Sequence, residues 1–502
     1  MLTWTINNLI ERNLPMAKRI FLAIISLCVI ISIAACSSGP SIESKKAQPI
    51  DRVAHPDQLK YPILEVKIPK PERLVLSNGI VVYMIEDKEL PLITVKVLLR
   101  SGAIYDAPDK TGTASLVARL LRTGGTTNYP ADQLDEKLEF MAADLGATAG
   151  DEEMLVTFNF LSRDFKQSMN ILHDVIFAPA FPEDKLEKEK SRILEPIRRE
   201  NDDPDSVAFR EFRKLTYPNH PYGRQSSGTA LTVQNITSAD LKQFHHDYFI
   251  TSNMMIGISG YFDKTETLSL LKELFEKETP REKKTNDIKP IERKYEKSIN
   301  LVNKEISQSA ILFGHLGIER LNPDYFTFMV MNEILGGSAV SRLYDEIREK
   351  RGLAYSVYSF FTRPRDIGLF VVGTSTKNES VVETTNLFIE EINKIKDNLV
   401  EETELANTKE ALINGFVFRF ENSVGVLEQF MFREHIGLPD NYLESYRDNV
   451  MKVTREDIKR VAQEYLQTEK FVLVIVGDSM KFDKPLSEFG TVNEIKLGNS
   501  GK

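Results

Sequence analysis

The sequence predicts an α+β fold of two homologous lobes, each a mostly antiparallel sheet covered by helices. The first observation behind this prediction is an internal repeat, because residues 236–248 and 453–465 align without a gap. Each copy has a threonine able to cap a helix, then apolar residues at helical spacing, then an apolar strand that ends in glycine. Five residues recur in register: Thr237, Asp240, Lys242, Tyr248 and Gly260 match Thr454, Asp457, Lys459, Tyr465 and Gly477. Such a match favours duplication of one unit.

The second observation is the order of the segments, because strands and pairs of helices are mixed in both halves. In the first half Asn78-Gly79 separates two apolar strands, which is a strong hairpin signal. The first half has predicted strands at 94–100 and 254–259 and predicted helices at 113–122, 131–144, 165–177 and 183–200. The second half has predicted strands at 307–316 and 471–476 and predicted helices at 324–335, 339–350, 379–398 and 402–420.

Length and composition set the boundaries of these units. A chain of 502 residues is too long for one core. The charged, proline-containing stretch 276–296 is the predicted linker, so the lobes cover residues 65–275 and 297–490, and residues 491–502 form a tail. The formal net charge of −9, with no long basic run, argues against a nucleic-acid partner.

The N-terminal segment predicts export and lipidation. Lys18 and Arg19 precede an apolar run that ends in small residues, which is the pattern of a secretory signal over residues 1–35. The run closes with Ile-Ala-Ala before Cys36, which resembles a bacterial lipobox with Cys36 as the lipidated residue. Residues 36–64, rich in Ser, Pro, Lys and Gln, then form a tether. The alternative is an uncleaved membrane anchor, which the shortness of the apolar run disfavours.

The residues after Cys36 bear on the location. They are serines, with no aspartate, which by resemblance to enterobacterial sorting rules indicates an outer-membrane lipoprotein that faces the periplasm of a Gram-negative bacterium. The lipid is then the only contact with the membrane. Of the two cysteines, Cys28 leaves with the signal and Cys36 takes the lipid, so the mature chain has no disulfide.

Longer motifs point to a family. Residues 341–355 are the strongest match, and shorter ones lie at residues 109–112, 200–204 and 220–224. On these motifs the chain resembles the insulinase/pitrilysin metallopeptidases, which include the mitochondrial processing peptidases, over nearly all of residues 65–490. The resemblance implies that the two lobes form half of a clamshell chamber, in which extended peptides are cleaved at zinc.

A catalytic member of that family carries H-x-x-E-H on the helix after its Asp-Lys-x-Gly turn, and a glutamate on a later helix is the third ligand. The matching positions here hold Ser115, Ala118 and Arg119, and the distant ligand position holds Pro196. None of the seven histidines forms H-E-x-x-H, H-x-x-E-H or another i, i+4 pair. The sequence therefore predicts no metal and no other cofactor in this chain.

The second half keeps the other part of the family's active site. Arg348 and Tyr355 fall on the Arg/Tyr pair of the family, so the resemblance assigns them to substrate and oxyanion contacts in a partner's site. Gly336 and Gly337 resemble the glycine-containing loop that processing peptidases use near substrate. Without the family, Arg348 is a salt-bridge partner on a charged helix, Tyr355 is a packed strand aromatic and the glycines form a plain loop.

These observations predict the non-zinc subunit of a heterodimeric envelope metallopeptidase, inactive alone. Its partner would be a zinc-bearing H-x-x-E-H subunit of the same family, and extended peptides would be the substrates. One alternative is a non-catalytic peptide-binding or assembly scaffold in the envelope, and another is an independent peptidase with an unrecognised metal site. The Arg/Tyr pair separates the first two, because a scaffold has no chemical need for it, whereas fold alone does not.

Overall fold

The structure, a computed structural model, describes residues 67–282, 284 and 288–498. The predicted signal at 1–35 and the tether at 36–64 with Cys36 lie outside the described residues. Among the residues that are described, no helix is long and apolar enough to cross a membrane. Both predicted lobes belong to one compact unit, and each contains one six-stranded sheet.

The first lobe is built on a sheet with the strand order β1-β2-β6-β3-β5-β4. Its strands are β1 (Glu72–Val75), β2 (Val81–Glu86), β3 (Leu92–Leu99), β4 (Asp144–Ala149), β5 (Met154–Leu161) and β6 (Met254–Gly260). Its helices are α1 (Thr113–Thr123), α2 (Ala131–Phe140), α3 (Phe165–Phe177), α4 (Glu183–Arg198), α5 (Pro204–Thr216), α6 (Ala230–Asn235), α7 (Ser238–Tyr248) and α8 (Lys264–Leu271). Strands β1 and β2 form the predicted hairpin around Asn78-Gly79.

The second lobe is built on a sheet with the strand order β12-β7-β11-β8-β10-β9. Its strands are β7 (Ser298–Asn303), β8 (Gln308–Leu316), β9 (Ala354–Phe361), β10 (Leu369–Lys377), β11 (Val472–Gly477) and β12 (Val492–Glu494). Its α-helices are α9 (Tyr325–Asn332), α10 (Val381–Asp397), α11 (Glu402–Val417), α12 (Ser423–Ile436), α13 (Tyr442–Lys452) and α14 (Arg455–Tyr465). Two π-helical segments, Glu333–Gly337 and Tyr344–Lys350, lie between α9 and β9.

The two sheets share one topology, which confirms the prediction of two homologous lobes. Strand β2 runs parallel to β6 as β7 runs parallel to β11, and the next three strands follow in the same antiparallel order in both sheets. Helices α7 and α14 both begin with a capping box, formed by Thr237 with Asp240 and by Thr454 with Asp457. The sheets differ at the outer strand, since β12 comes from the predicted tail and pairs parallel with β7.

The predicted elements of the core are present with shifted ends. Helix α3 has the predicted bounds, whereas α2 ends at Phe140 and not at residue 144. The reason is that Ala142 takes a left-handed φ of 49° and β4 begins at Asp144. The elements that were not predicted from sequence are the β4–β5 hairpin, the strands β7, β10 and β12, and the helices α5, α6, α8, α12 and α13.

Each lobe lends one helix to the other lobe's sheet. Helix α5 packs on β8 and β11, where Val207 and Phe212 are fully buried, and α12 packs on β2 and β6. At Gly257 in β6 a Cβ atom would lie 2.4 Å from Sδ of Met431 and 2.8 Å from Cδ2 of Leu427, so only glycine allows α12 to approach this closely. The central strands β6, β8 and β11 are therefore buried on both faces, and the lobes are fixed against each other.

Polar contacts between the lobes add to this exchange. Arg73 in β1 donates from Nε and Nη2 to the carboxylate of Glu434 in α12, at 2.8 and 2.7 Å. The hydroxyl of Tyr217, just after α5, donates to the backbone carbonyl of Ile367 at 2.9 Å. Both contacts lie at ends of the exchanged helices, so they hold those helices in register.

Candidate functional site

Helix α1 carries three of the four former zinc positions, and its first turn is held by Asp106. The Asp106 carboxylate accepts hydrogen bonds from the backbone N–H groups of Gly112 at 2.8 Å and Ala114 at 3.0 Å. Because the first N–H groups of a helix have no partner within it, these contacts cap α1. Burial raises the pKa of Asp106 to about 7. The helix is therefore intact although its ligands are gone.

The four former zinc positions do not fit a metal ion. Ser115 is half-buried, Ala118 is buried and Arg119 is exposed. Pro196 lies within α4, which packs against α1, and it has neither a side-chain donor nor a backbone N–H. A zinc site needs His, Cys or carboxylate ligands, and none of these four residues supplies one. No catalytic step of this chain passes through a metal at these positions.

A buried carboxylate beside these positions is neutralised by arginines. Glu189 of α4 is 2% exposed, and Nη1 of Arg192 donates to its Oε1 across 2.5 Å. Nη1 of Arg119 lies 3.9 Å from Oε2 of the same carboxylate. A buried charge needs such a partner, because removing it from water is costly. The Arg119 guanidinium thus puts a positive charge where a metal would have to bind, and the two would repel each other.

Two of the histidines, His245 and His315, pack within the lobes, and His55 lies outside the described residues. The His315 ring accepts a hydrogen bond from the N–H of Gln467 at Nε2, at 3.0 Å, and donates from Nδ1 to the carbonyl of Leu316 at 2.8 Å. Burial lowers the pKa of His315 to about 4, and burial lowers that of His245 to about 4 as well. In the described part of the chain, no three His, Cys, Asp or Glu side chains could hold a metal ion together.

Arg348 and Tyr355 lie together in the second lobe. Arg348 belongs to the π-helical segment Tyr344–Lys350, and its guanidinium carbon lies over two aromatic rings. The distance to the ring centroid is 4.8 Å for Tyr344 and 4.8 Å for Tyr355. Guanidinium groups stack on aromatic faces through cation–π attraction. The two rings therefore orient the guanidinium without neutralising it.

The carboxylates near Arg348 are mostly taken by other cations. Nζ of Lys350 lies 2.8 Å from Asp345 and 3.1 Å from Glu346. Among the described residues, Glu349 is the only one with a carboxylate oxygen within 4 Å of Arg348, at 3.6 Å from Nε. Glu349 is itself exposed, and an ion pair with an exposed carboxylate contributes little to stability. The closest contacts of Arg348 are therefore two aromatic rings and one exposed carboxylate.

An irregularity in β9 turns Tyr355 outwards. Along β10, the pairs on either side of the irregularity are Thr374 with Val357 and Thr376 with Ala354. Strand β9 thus has one more residue than β10 between these pairs, which is a β-bulge. As a result Tyr355 and Ser356 are consecutive and both exposed, which a regular strand does not allow. Tyr355 is 84% exposed, so its ring and hydroxyl are accessible to another molecule.

The glycine-containing loop rests on the strand that carries Tyr355. A Cβ atom at Gly336 would lie 2.5 Å from the backbone nitrogen of Ser359 in β9, so this glycine is needed for the close approach. At Gly337 the nearest atom to a Cβ would be a carboxylate oxygen of Glu333, at 2.5 Å, which is the end of a flexible side chain. Nδ2 of Asn332 donates to the carbonyl of Ser359 at 3.2 Å. Packing against β9 therefore requires glycine at position 336, whereas Gly337 is exposed to solvent.

Tyr344 belongs to this site as well, although no motif in the sequence pointed to it. It lies four residues before Arg348 within a predicted helix, and residues at that spacing share one helix face. That spacing is the signal that could have found it.

Comparison with known proteins identifies the family. Residues 81–230 match the family model described as Insulinase (Peptidase family M16), and residues 235–412 match the model described as Peptidase M16 inactive domain. Both models belong to family M16, and together they match well over half of the chain. The chain belongs to the insulinase family. Because its four zinc-ligand and base positions lack the required side chains, it is an inactive member of that family.

Relatives of this insulinase-family chain match it over nearly their whole length. A protein of Bacillus subtilis named as an uncharacterized zinc protease YmxG is 24% identical over 413 residues, which is 81% of this chain and 98% of the relative. A Helicobacter pylori protein named as a non-peptidase homolog YmxG is 25% identical and covers 79% of this chain and 91% of its own length. The crystal structure of a peptidase M16 inactive domain from Pseudomonas fluorescens superposes with a TM-score of 0.75 and 26% identity, over 82% of this chain and 98% of that one. These matches confirm the family resemblance and the fold.

Proposed function

We propose that this insulinase-family chain is the non-zinc subunit of a heterodimeric peptidase of the cell envelope. A partner subunit with an intact H-x-x-E-H motif holds zinc and cleaves the peptide, and this chain supplies Arg348 and Tyr355 to the partner's site. The observation that carries the proposal is that Arg348 and Tyr355 are stacked on each other and accessible. The Arg348 guanidinium is stacked at 4.8 Å on a tyrosine ring that is 84% exposed, so both groups are oriented and both are open to another molecule.

The pair has the chemistry that peptide hydrolysis needs. Attack of water on the peptide carbonyl develops an oxyanion, and the Tyr355 hydroxyl can donate a hydrogen bond to it. Arg348 can donate to a substrate carbonyl through its forked N–H groups. Because stacking on Tyr344 and Tyr355 fixes the guanidinium plane in advance, less entropy is lost when substrate binds. Loss of one oxyanion donor typically costs about 10²–10³ in rate.

Extended peptides are the proposed substrates. Strands β4 and β9 are edge strands of the two sheets. Strand β4 packs beside α1, the helix of the former zinc positions, and β9 carries Tyr355. An edge strand offers unpaired backbone N–H and C=O groups, to which an extended chain can add as a further strand. Recognition through the peptide backbone would give broad specificity.

The proposed location is the periplasmic side of the outer membrane of a Gram-negative bacterium. Removal of residues 1–35 would leave Cys36 as the lipidated N-terminus, and residues 36–64 would link it to the lobes. The support is the lipobox-like pattern before Cys36. Mass spectrometry of the N-terminal peptide should find diacylglycerol on Cys36, and Cys36→Ser should release the chain from membranes. An unmodified Cys36 in membrane fractions would contradict this assignment.

The function is tested by measuring zinc content and cleavage of a quenched peptide library. Three samples are compared: this chain, the zinc-bearing partner, and their mixture. We expect zinc in the partner and cleavage only in the mixture. Arg348→Ala and Tyr355→Phe should abolish most of that cleavage, and Arg119→Ala, which also removes a helix arginine, should not. Stoichiometric zinc and cleavage with this chain alone would contradict the proposal.

A non-catalytic scaffold is the second candidate. The observation that favours it is the Helicobacter pylori relative, which is named a non-peptidase homolog. In this case the chain binds peptides or assembles with other envelope proteins without supporting cleavage. Tight association with a zinc-bearing partner but no cleavage by the mixture, whether Arg348 is present or replaced by alanine, would favour the scaffold.

A further inference from the structure

Three arginines of the second lobe gather around aromatic side chains without a carboxylate partner. Arg320 follows β8, Arg363 follows β9 and Arg419 lies between α11 and α12. Their electrostatic neighbours are one another and three tyrosines, namely Tyr325, Tyr442 and Tyr446. Within the described part of the chain, none of the three arginines forms an ion pair. We call Arg320, Arg363 and Arg419 the arginine cluster.

Arg320 is the buried member of the cluster. It is 6% exposed, its Nε is fully enclosed, and no nitrogen of its side chain has a hydrogen-bond partner among the described residues. Its guanidinium carbon lies 4.7 Å from the ring centroid of Phe432 and 5.3 Å from that of Tyr325. Cation–π contacts contribute about 0.5–2 kcal/mol, whereas burial of an ion costs several kcal/mol. The site therefore lacks a counter-ion.

The two other arginines are accessible. Both Arg363 and Arg419 are exposed. Arg363 donates to the hydroxyl of Tyr325 at 3.3 Å, and the guanidinium carbon of Arg419 lies 5.8 Å from the Tyr446 ring centroid. Burial, together with the like charges of Arg363 and Arg419, lowers the pKa of Arg320. The cluster thus concentrates positive charge, with Arg320 buried at the bottom and Arg363 and Arg419 exposed at the edge.

The tyrosines do not supply the missing negative charge. Burial raises the pKa of Tyr446 to about 12, and burial also raises the pKa of Tyr442 above its ordinary value. At neutral pH both are therefore protonated phenols. The hydroxyl of Tyr446 donates to Sδ of Met329 at 3.6 Å. A phenol can donate a hydrogen bond to an anion, and Tyr442 is the ring of this pair that suits a negatively charged ligand.

A cavity of about 250 Å³ between the lobes borders the cluster at one of its three arginines. It is lined by Arg363 and by Phe432, the ring on which Arg320 stacks. Three carboxylates of the first lobe line the same cavity, namely Asp151, Glu152 and Glu153. They have other partners: Arg213 bonds Asp151 at 2.9 Å, Tyr222 and the Arg365 N–H bond Glu152, and the ring of His435 lies 3.6 Å from Glu153. None of them pairs with the arginine cluster.

We infer that the arginine cluster is a binding site for one oxyanion group, a carboxylate or a phosphate, with Arg320 at its base and Arg363 and Arg419 at its rim. Guanidinium groups bind both kinds of oxyanion through forked, charge-assisted hydrogen bonds. The bound anion supplies the charge that Arg320 lacks. The site shares no residue with the Arg348 and Tyr355 site, and its occupation requires no peptide cleavage. The C-terminal carboxylate of a peptide and free inorganic phosphate are two sources of this chemistry.

The inference is tested by thermal unfolding of the full chain in sodium phosphate, sodium acetate and sodium chloride at matched ionic strength and pH 7. The unfolding temperature should rise with phosphate or acetate more than with chloride. Arg320→Met should abolish this difference, and Arg419→Gln should weaken the apparent affinity at least about tenfold. Because Arg419 is exposed, Arg419→Gln should fold, and its anion response tests the site even if Arg320→Met does not fold. The control is Arg447→Gln, which removes a charge of α13 outside the cluster and should keep the full response.

The source of the anion is distinguished by calorimetry with two peptides that differ only in a free or an amidated C-terminus. Binding of the acid but not of the amide, with competition by phosphate, assigns the site to peptide carboxylates. Binding of phosphate alone assigns it to the free ion. An equal response to chloride, or a wild-type response to phosphate and acetate in both Arg320→Met and Arg419→Gln, would overturn the inference. These outcomes are independent of whether the mixture of subunits cleaves peptides.

Discussion

Arg119 in the first lobe and Arg348 in the second are both partly exposed arginines on helices, but their surroundings differ. Arg119 lies 3.9 Å from the buried carboxylate of Glu189. Arg348 lies over two tyrosine rings, and its one close carboxylate, that of Glu349, is itself exposed. The first arginine compensates a charge of its own chain. The second is oriented by uncharged rings, and we propose that its N–H groups serve another molecule.

This difference separates the two regions that the family resemblance singles out. At the zinc positions, Arg119 is satisfied within the fold, since buried Glu189 requires a cation nearby. At the proposed Arg/Tyr pair, a β-bulge exposes Tyr355 and stacking orients Arg348. Substitutions in the first region should therefore change stability, and substitutions in the second should change activity in the complex.

The largest expected effect is at the pair itself. Arg348→Ala or Tyr355→Phe should lower kcat/KM of the mixture by about 10²–10³, because each removes a donor to the substrate or the oxyanion. The free energy of unfolding of this chain should change by less than about 0.5 kcal/mol, since neither side chain is buried. Kinetics with wild-type partner and chemical unfolding of the isolated chain measure the two quantities. A loss of unfolding free energy large enough to account for the loss of activity would contradict the distinction between the two regions.

The glycine loop beside the pair should respond in stability. Gly336→Ala should destabilise the chain by about 1–3 kcal/mol, because the new Cβ would clash with the backbone of Ser359. Gly337→Ala is the matched control, since the Glu333 side chain beside it can move away. Denaturant midpoints of the two variants measure the effect. Similar midpoints would show that Gly336 is not needed for packing against β9.

The sequence could predict the two lobes because their signals are local. A capping threonine, an apolar helix face and an apolar strand recur within one short repeat, and they form as predicted at α7 and α14. The β4–β5 hairpin was not predicted because β4, with Gly146 and two alanines, has little strand propensity and depends on pairing with β5. The exchange of α5 and α12 could not be predicted for another reason, since an apolar helix face does not specify which sheet it covers.

The candidate site also has features that sequence predicts and features that only the folded chain shows. The missing zinc ligands at Ser115, Arg119 and Pro196 and the missing base at Ala118 are properties of residue type and can be found from sequence. The exposure of Tyr355 depends on register with β10, and the arginine cluster depends on three segments that meet only in the folded chain. Such convergence has no short-range signal.

Buried histidines should make both lobes sensitive to acid. His245 and His315 are neutral in the folded state with pKa values of about 4, against about 6.5 when unfolded. A lowered pKa contributes stability above pH 6.5, and that stability is lost as pH falls towards 4. The loss should reach about 2 kcal/mol per ring at pH 5. Unfolding curves at pH 7 and pH 5 measure it, and His315→Gln should remove its share. An unchanged difference in that variant would contradict the assignment.

Tyr344 should have a modest effect on activity. Tyr344→Leu removes one of the two rings over which Arg348 lies, so kcat/KM of the mixture should fall roughly two- to fivefold. Tyr344→Phe keeps the ring and should retain nearly full activity. Kinetics of both variants with the same partner preparation give the comparison. A loss in the phenylalanine variant as large as in the leucine variant would mean that the hydroxyl, and not the ring, acts on Arg348.

The smallest expected effect is at Arg119. Arg119→Ala should leave kcat/KM of the mixture unchanged and lower the free energy of unfolding by no more than about 1 kcal/mol, because Arg192 still neutralises Glu189 at 2.5 Å and the contact to Arg119 is longer and partly exposed. Arg192→Ala is the sharper partner experiment, since it removes the closer cation and should destabilise more. If Arg119→Ala lowered cleavage as strongly as Arg348→Ala, the former zinc region would have a role in the shared site, and the contrast between the two arginines would fail.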